Sequence, residues 1–339
     1  MLSDVKDKVI SKVTAVKAQP QMRFQWSIEH VRNDDNQFRF YTGLKYFQFV
    51  TLWEFLGPSA TKLTYWSTTQ KGNTKTAGKS PSKRPGPARK LSPQNELFLT
   101  LVRLRCGLLN RDLAFRFCIA ESTVSDIVTT WVQFLYLQFS RIRAEMFPDR
   151  HVTAKNLPNC FKNKMLKNIR VIIDCSELHV QSPRDFGRQG NLYSSYKSHT
   201  TYKFLIGIAP NGAITYVSDL FEGAISDKEI VEKSGFLETL MPGDLILADR
   251  GFTIRDIVYA KQADLNIPPF LHGRATFTAA EEIQTKKIAR VRIHVERAIE
   301  RVKKFRILGR RLPLTLAAIL SQLVFVACCL VNFQDNLVS

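Results

Sequence analysis

Three stretches decide how this chain folds: Ile169-Arg170-Val171-Ile172-Ile173-Asp174 (IRVIID), Thr201–Leu220 (TYKFLIGIAPNGAITYVSDL) and Asp244–Asp249 (DLILAD). The first and third are short apolar runs that end on an acid, the third stopped by Arg250-Gly251. Runs of that length and composition read as strands. In the second, Tyr202–Ala209 and Ala213–Leu220 flank Pro210-Asn211-Gly212, which predicts two strands joined by a hairpin. Helical signals then separate the strands. Ser226, with Glu229 three residues on, predicts a capped helix start. Ile254–Ala263 reads as helix, Pro268–Leu271 as a short strand, and Thr278 as the cap of a long helix reaching about Phe305. Leu314–Phe333 reads as a C-terminal helix. Hairpin strands followed by strands alternating with helices predict an α/β mixed sheet flanked by helices over residues 165–333.

The composition is globular, with 45% hydrophobic residues in 339, and excludes a collagen-like or wholly disordered chain. That length suits two domains, each able to bury a core. Lys and Arg number 49 against 30 Asp and Glu, a formal net charge of +19. So large a surplus favours a polyanionic partner, nucleic acid first and an anionic membrane second. Cys106, Cys118, Cys160, Cys175, Cys328 and Cys329 form no C-x-x-C pair and no Cys/His array. A disulfide framework or a zinc finger is not expected, and a reducing compartment is. The first residues, MLSDVKDKVISKV, lack a secretory apolar core. Leu312–Gln334 carries no charge and has the length of a tail anchor, but Pro313, Ser321, Gln322, Asn332 and Gln334 suit a buried helix of a soluble domain better.

Upstream of the sheet, residues 1–67 read as a polar, weakly patterned arm (1–40) followed by an aromatic-rich helix over Leu44–Leu56 that ends at Gly57-Pro58. Residues 68–91 form a basic linker: seven Lys or Arg and no acid lie between Lys71 and Lys90, Lys83 and Arg84 among them. Such a segment tracks a phosphate backbone or carries a nuclear-import signal. Three helices are expected over 92–145. Ser92 caps the first, with Pro93 at its first position and Gly107 at its end. Asn110 caps a short one to Cys118, and Ser122 caps a long one to about Ile142. Helix, short helix, tight turn and a helix opening Ser122-Thr123-Val124-Ser125 is a helix-turn-helix order, with Ser122, Thr123 and Ser125 offered to a DNA groove. Val124, Ile127, Val128, Trp131 and Leu135 are core positions at helical spacing.

The candidate chemistry lies in three acids. A carboxylate closing a buried strand costs solvation unless paired or bound to a cation, so Asp174 and Asp249 are expected to meet at one sheet edge. Glu296 lies in a stretch, Gln284–Arg311, with eleven Lys or Arg and only two acids. Three convergent carboxylates would bind two Mg2+ (or Mn2+) ions and serve in-line attack on a phosphodiester. The bland alternative has each Asp closing a turn and Glu296 pairing with a neighbouring Arg.

Asp174-Cys175-Ser176-Glu177, the stretch 193–230, LADRGF (247–252) and RIHVERAIERVKKFRIL (292–308) resemble the nuclease domain of DDE-superfamily transposases of the Harbinger-like group. Residues 91–127 are similar to the helix-turn-helix that precedes this nuclease, so the resemblance covers about 92–333. It implies an RNase H-like fold with a catalytic and metal-binding triad at Asp174, Asp249 and Glu296. Related bacterial transposases carry Tyr-x2-Arg-x3-Glu-x6-Lys around the third acid, and Arg292, Glu296 and Lys303 fit its last three positions. These share one helical face, where Arg292 and Lys303 are expected to grip phosphates. Ala289 stands at the Tyr position, so that residue's role does not carry over. Glu177, Lys197, His199 and Asp227 lie in family-like motifs: Lys197 as a DNA contact, Glu177 and Asp227 as auxiliary acids, His199 as a structural residue. Asp227 reads equally as a favourable charge at a helix start. Some family members add an N-terminal zinc-binding domain, and that Cys/His spacing does not occur here.

The leading expectation is a nuclear transposase or transposase-derived endonuclease acting on double-stranded DNA, transposon ends and target alike, as a homo-oligomer or with an accessory DNA-binding protein. A domesticated, catalytically inactive DNA-binding protein is the alternative, and a tail-anchored membrane protein the third reading.

Overall fold

The computed structural model describes residues 25–65, 89–162, 166, 168–249, 251–268 and 278–338. The N-terminal half is helical: α1 (Asp35–Thr42), α2 (Tyr46–Leu56), α3 (Pro93–Cys106), α4 (Asn110–Phe117), α5 (Glu121–Arg141) and α6 (Arg150–Lys155). Asp34 caps α1 by accepting from the Asn36 and Gln37 amides, and Ser92 caps α3 by accepting from Asn95. Gly107 closes α3 at φ 64°, a conformation natural to glycine.

Two helix starts differ from expectation. Leu109, not Asn110, is the cap residue of α4, and Ala120, not Ser122, that of α5. Cys118 adopts φ 53° and returns its amide to the Ala114 carbonyl, which turns the chain early and starts α5 one residue before Ser122. Residues 25–40 also depart from the expected arm: Trp26, Ile28, Val31 and Phe38 are buried, and the Trp26 ring meets Tyr41 and Phe98 edge-on at 4.7 and 5.1 Å. A few large apolar anchors fix this segment although its average composition is polar. Residues 1–24 lie outside the described residues.

The sheet is built from β1 (Ile169–His179), β2 (Tyr193–Ser194), β3 (His199–Ile208), β4 (Ile214–Val217), β5 (Phe221–Glu222), β6 (Leu245–Leu247) and β7 (Asp264–Asn266), with α7 (Phe186–Leu192), α8 (Asp227–Lys233), α9 (Arg255–Tyr259), α10 (Ala279–Lys303) and α11 (Ala317–Asn332) around it. β1 and β4 pair antiparallel with β3, while β6 pairs parallel with β1 and β7 parallel with β6. The resulting mixed sheet, flanked by helices, is the RNase H-like arrangement that the resemblance implies.

Strand boundaries moved where polar residues masked the pattern. β1 runs through Asp174 to His179, because Cys175 to His179 all pair with β3. A strand that the sequence did not mark lies at Asp264–Asn266, which pairs in register with Leu245–Leu247, while the expected strand at Pro268–Leu271 falls mostly outside the described residues. Pro268 has no amide to give a ladder, and residues 269–271 are outside the described set. Ser226 does cap α8, with Glu229 closing the box.

α11 is the one helix among the described residues long and apolar enough to cross a membrane. It serves here as a core helix, with Leu320 and every residue from Leu323 to Val331 buried. Its polar residues hold the sheet. Asn332 both accepts from the Ile214 amide and donates to the Ile214 carbonyl, each at 2.8 Å, and Ser321 accepts from the Leu220 amide. On its other side Phe325 meets Tyr136, and Phe333 meets Phe139 and Phe55. One apolar cluster therefore runs from Trp26 through the helical bundle to β1, β3 and α10.

Candidate active site

The parallel register Ile172↔Leu247 brings Asp174, two residues further along β1, level with Asp249, two residues beyond the β6 pairing. Asp174 sits within a strand and Asp249 just past one. α10 lays Val291, Val295, Ala298 and Val302 into the core, a helical stripe that turns Arg292, Glu296 and Ile299 toward the same place. Asp174, Asp249 and Glu296, 122 positions apart in sequence from first to last, line one open cavity of about 720 Å3. Glu177, Lys197, Lys203, Asp227, Arg292 and Lys303 complete its polar wall.

Burial pushes the Asp174 carboxyl up to about 6, and the nearby Asp249 and Asp227 carboxylates add to the effect. The Cys175 amide, donating to Asp174 Oδ1 at 2.8 Å, and the Arg292 charge oppose it. Arg292 turns to the acids within the cavity. Its Nη1 lies 2.7 Å from Asp249 Oδ1 and its Nη2 2.9 Å from Glu296 Oε1, so the guanidinium spans the two acids. Inside a cavity rich in carboxylates this pairing is the low-energy place for a cation. Among the described residues, no three His, Cys, Asp or Glu side chains come close enough together to form a metal-ligand cluster.

Lys303 shares the cavity, and desolvation, then the Lys197 charge, lowers its ammonium below the usual lysine range. Lys197 lies over the exposed Tyr196 ring, its Nζ 4.5 Å from the centroid. Glu177 accepts from the Thr201 hydroxyl at 2.8 Å. Asp227 opens α8, as read from the helix start, and its carboxylate meets Lys203 Nζ at 2.6 Å. His199 stacks on His179 at 4.6 Å, a structural contact.

Lys203 was not singled out, although a lysine inside the apolar run YKFLIGI is an anomaly that marks it. It stands opposite Glu177 in the β1/β3 register, and Asp227 raises its pKa against the opposing cost of burial. Cys175 was missed as well. It lines the cavity beside Asp174, and burial, then the Asp227 carboxylate, pushes its thiol far up, which leaves it un-ionised and a poor nucleophile.

In the helical bundle, Ser122 and Ser125 are exposed and Thr123 half-buried on the first turns of α5, while Val124, Ile127, Trp131 and Leu135 are buried and Val128 half-buried. The exposed hydroxyls are free to face a ligand, and the apolar residues fix the helix. Beneath them Glu96, fully buried, accepts from Trp131 Nε1 at 3.0 Å and from the Tyr65 hydroxyl, with Arg89 at 3.4 Å. Lys83 and Arg84 lie outside the described residues.

Comparison with known families agrees with both halves. Residues 173–332 match the DDE superfamily endonuclease family, a span that includes Asp174, Asp249 and Glu296. Residues 89–141 match the helix-turn-helix of DDE superfamily endonuclease. Neither match separates a Harbinger-like group from its relatives, and no curated protein matches the chain. The acid-lined cavity lies within the first match and the exposed start of α5 within the second, so this chain is similar to a DDE superfamily endonuclease and its helix-turn-helix in the same order.

Proposed function

We propose that the chain is a transposase or transposase-derived DNA endonuclease of Harbinger-like type, with Asp174, Asp249 and Glu296 as its catalytic acids. The observation that carries this reading is the convergence of those three acids in one cavity whose wall also holds Lys197, Lys203, Arg292 and Lys303. Carboxylates alone would repel a phosphodiester, whereas the surrounding ammonium and guanidinium groups attract it.

The donor chemistry, though not the present spacing of the acids, fits a hard divalent cation. All three ligand side chains offer oxygen, burial destabilises Asp174 as an anion, and the Arg292 guanidinium already occupies a cation position between Asp249 and Glu296. Asp174, Asp249 and Glu296 would hold Mg2+ or Mn2+. The ion, when bound, supplies charge neutralisation at the attacking and leaving oxygens of a phosphodiester displacement. Arg292, released from the acids, and Lys303 would bind the phosphate oxygens. Lys197 beside Tyr196 would hold the strand at the cavity mouth, and Lys203 would hold Asp227 in place through their ion pair. Ser122, Thr123 and Ser125 would read or position the duplex, with the 71–90 segment, Lys83 and Arg84 included, adding salt-sensitive affinity and directing the protein to the nucleus.

Asp249→Asn tests the reading: it should abolish Mg2+-dependent nicking of a selected DNA site while leaving binding nearly unchanged. Equal nicking by that variant would remove the enzyme. One observation favours the second reading, a domesticated DNA-binding protein without cleavage: Arg292 satisfies two of the three acids by itself. DNA binding by the parent protein with no strand cleavage in Mg2+ or Mn2+ would select it.

A further inference from the structure

Lys303 lines two cavities. One is the acid-bearing cavity, and the other is an open cleft of about 400 Å3 lined by Phe40, Arg105, Cys106, Lys303, Lys304 and Arg306. The cleft forms where α3 ends against the segment that follows α10. The Arg306 and Ile307 amides donate to the Arg105 and Leu104 carbonyls at 3.0 and 3.2 Å, and a Cβ at Gly107 would come within 3.3 Å of the Arg306 carbonyl carbon. Its walls are therefore fixed by backbone contacts.

The charges in this cleft are poorly balanced. Four of its six lining residues are cationic and none is acidic. Lys304 has Glu300 at 2.8 Å, and neighbouring Arg39 has Asp335 at 3.9 Å. Arg105 lies over the Phe305 ring, and its buried Nη1 has no hydrogen-bond partner. Burial lowers its guanidinium and the like charges of Arg39 and Arg306 add to this, opposed by Cys106 rather than by a carboxylate. A buried guanidinium nitrogen left without an acceptor, among other cations, is costly unless an anion completes it.

We propose that this cleft binds the phosphodiester backbone of the DNA strand whose neighbouring phosphate lies in the acid-lined cavity, with Arg105 and Arg306 each holding a phosphate and Lys303 joining the two sites. Continuity through Lys303 favours a polymeric phosphate over a free anion, and Phe40, 56% exposed at the rim, offers an apolar face to a sugar or base. The inference rests on the endonuclease reading for the choice of DNA, but it is tested separately from cleavage.

The test is duplex binding, measured by fluorescence anisotropy in EDTA across a salt series, for the full chain and for Arg105→Gln, Arg306→Gln and the double variant. Each substitution should make the dependence of log K on log salt shallower by about 1, and the double variant should lose roughly 10- to 100-fold in affinity near 0.1 M salt. Arg306 is exposed, so its substitution reads the cleft even where Arg105→Gln disturbs folding. Unchanged slopes in Arg306→Gln and the double variant overturn the proposal, as does protection of the parent by inorganic phosphate at millimolar concentration without any change in DNA slope. If the variants lose DNA affinity while the parent never nicks DNA, the cleft stands and the endonuclease reading falls. The reverse pattern removes the cleft alone.

Discussion

Replacing Asp174 with Asn should make the metal-free protein more stable at neutral pH. In the folded chain the carboxyl is held at about 6 by burial, against 3.8 for the ordinary side chain. The difference is about two pH units, and at 1.36 kcal/mol for each it amounts to about 3 kcal/mol of ionisation cost above pH 6. The sign follows from proton binding. Between about pH 4 and 6 the native state holds this proton more tightly than the unfolded chain, so stability falls as pH rises through that window and stays low above it. Asn keeps the shape and can still accept from the Cys175 amide, but never ionises. Urea unfolding in EDTA should therefore give equal stability for parent and Asp174→Asn near pH 4 and a gap opening to about 2–3 kcal/mol by pH 7.5. Added Mg2+ should narrow that gap by stabilising the parent alone. A gap that is widest at low pH, or a variant less stable than the parent at pH 7.5, would refute the argument that Asp174 is a charge the fold tolerates only for the sake of a cation.

Other substitutions probe separate parts of the structure. Arg292→Gln removes a cation bound between two half-exposed acids; its loss should change stability by under about 1 kcal/mol, and calorimetry should show Mn2+ binding about 5-fold tighter, weaker binding counting against competition between guanidinium and metal. Gly223→Ala would push a Cβ to 2.6 Å from the Leu192 carbonyl oxygen and 2.8 Å from that of Thr201, so denaturant titration should register a loss of about 1–3 kcal/mol. Asn332→Leu deprives the Ile214 amide and carbonyl of their shared partner and should cost about 2 kcal/mol; a neutral result would mean that the β4 edge is satisfied without α11.

The parts of the fold that were legible in the sequence were those where one physical signal dominated. IRVIID and DLILAD are apolar enough to be buried strands, and the acid at the end of each marked two residues that meet in one cavity. Ser226 with Glu229, and Ser92 with Pro93, named their helix starts because capping is local. The misses came from effects acting over distance. β1 continues for five residues past Asp174 because β3 offers it partners, which no window of CSELH discloses. The strand at Asp264–Asn266 exists because β6 needs a neighbour, although its own residues are polar. Ser122 has the chemistry of a cap, yet the φ of 53° at Cys118 starts the helix before reaching it. Arg292 was placed on the correct face by its spacing to Glu296, but its direction depends on Asp249, 43 residues earlier in the chain. Segment 25–40 was read as an arm by average polarity, whereas four buried anchors decide its fate.

The packing of α11 has a mechanical consequence. This helix packs the bundle against the sheet through Phe325, Phe333 and Asn332, and one continuous apolar cluster joins the core of α5 to the strand that carries Asp174. On the proposed endonuclease reading, a duplex held at one station, the start of α5 or the acids, would meet the other at a set number of base pairs and on a set face of its own helix. Shifting the two DNA stations by half a helical turn, about five base pairs, would present the wrong groove, and only a distortion of the nucleic acid could restore the match.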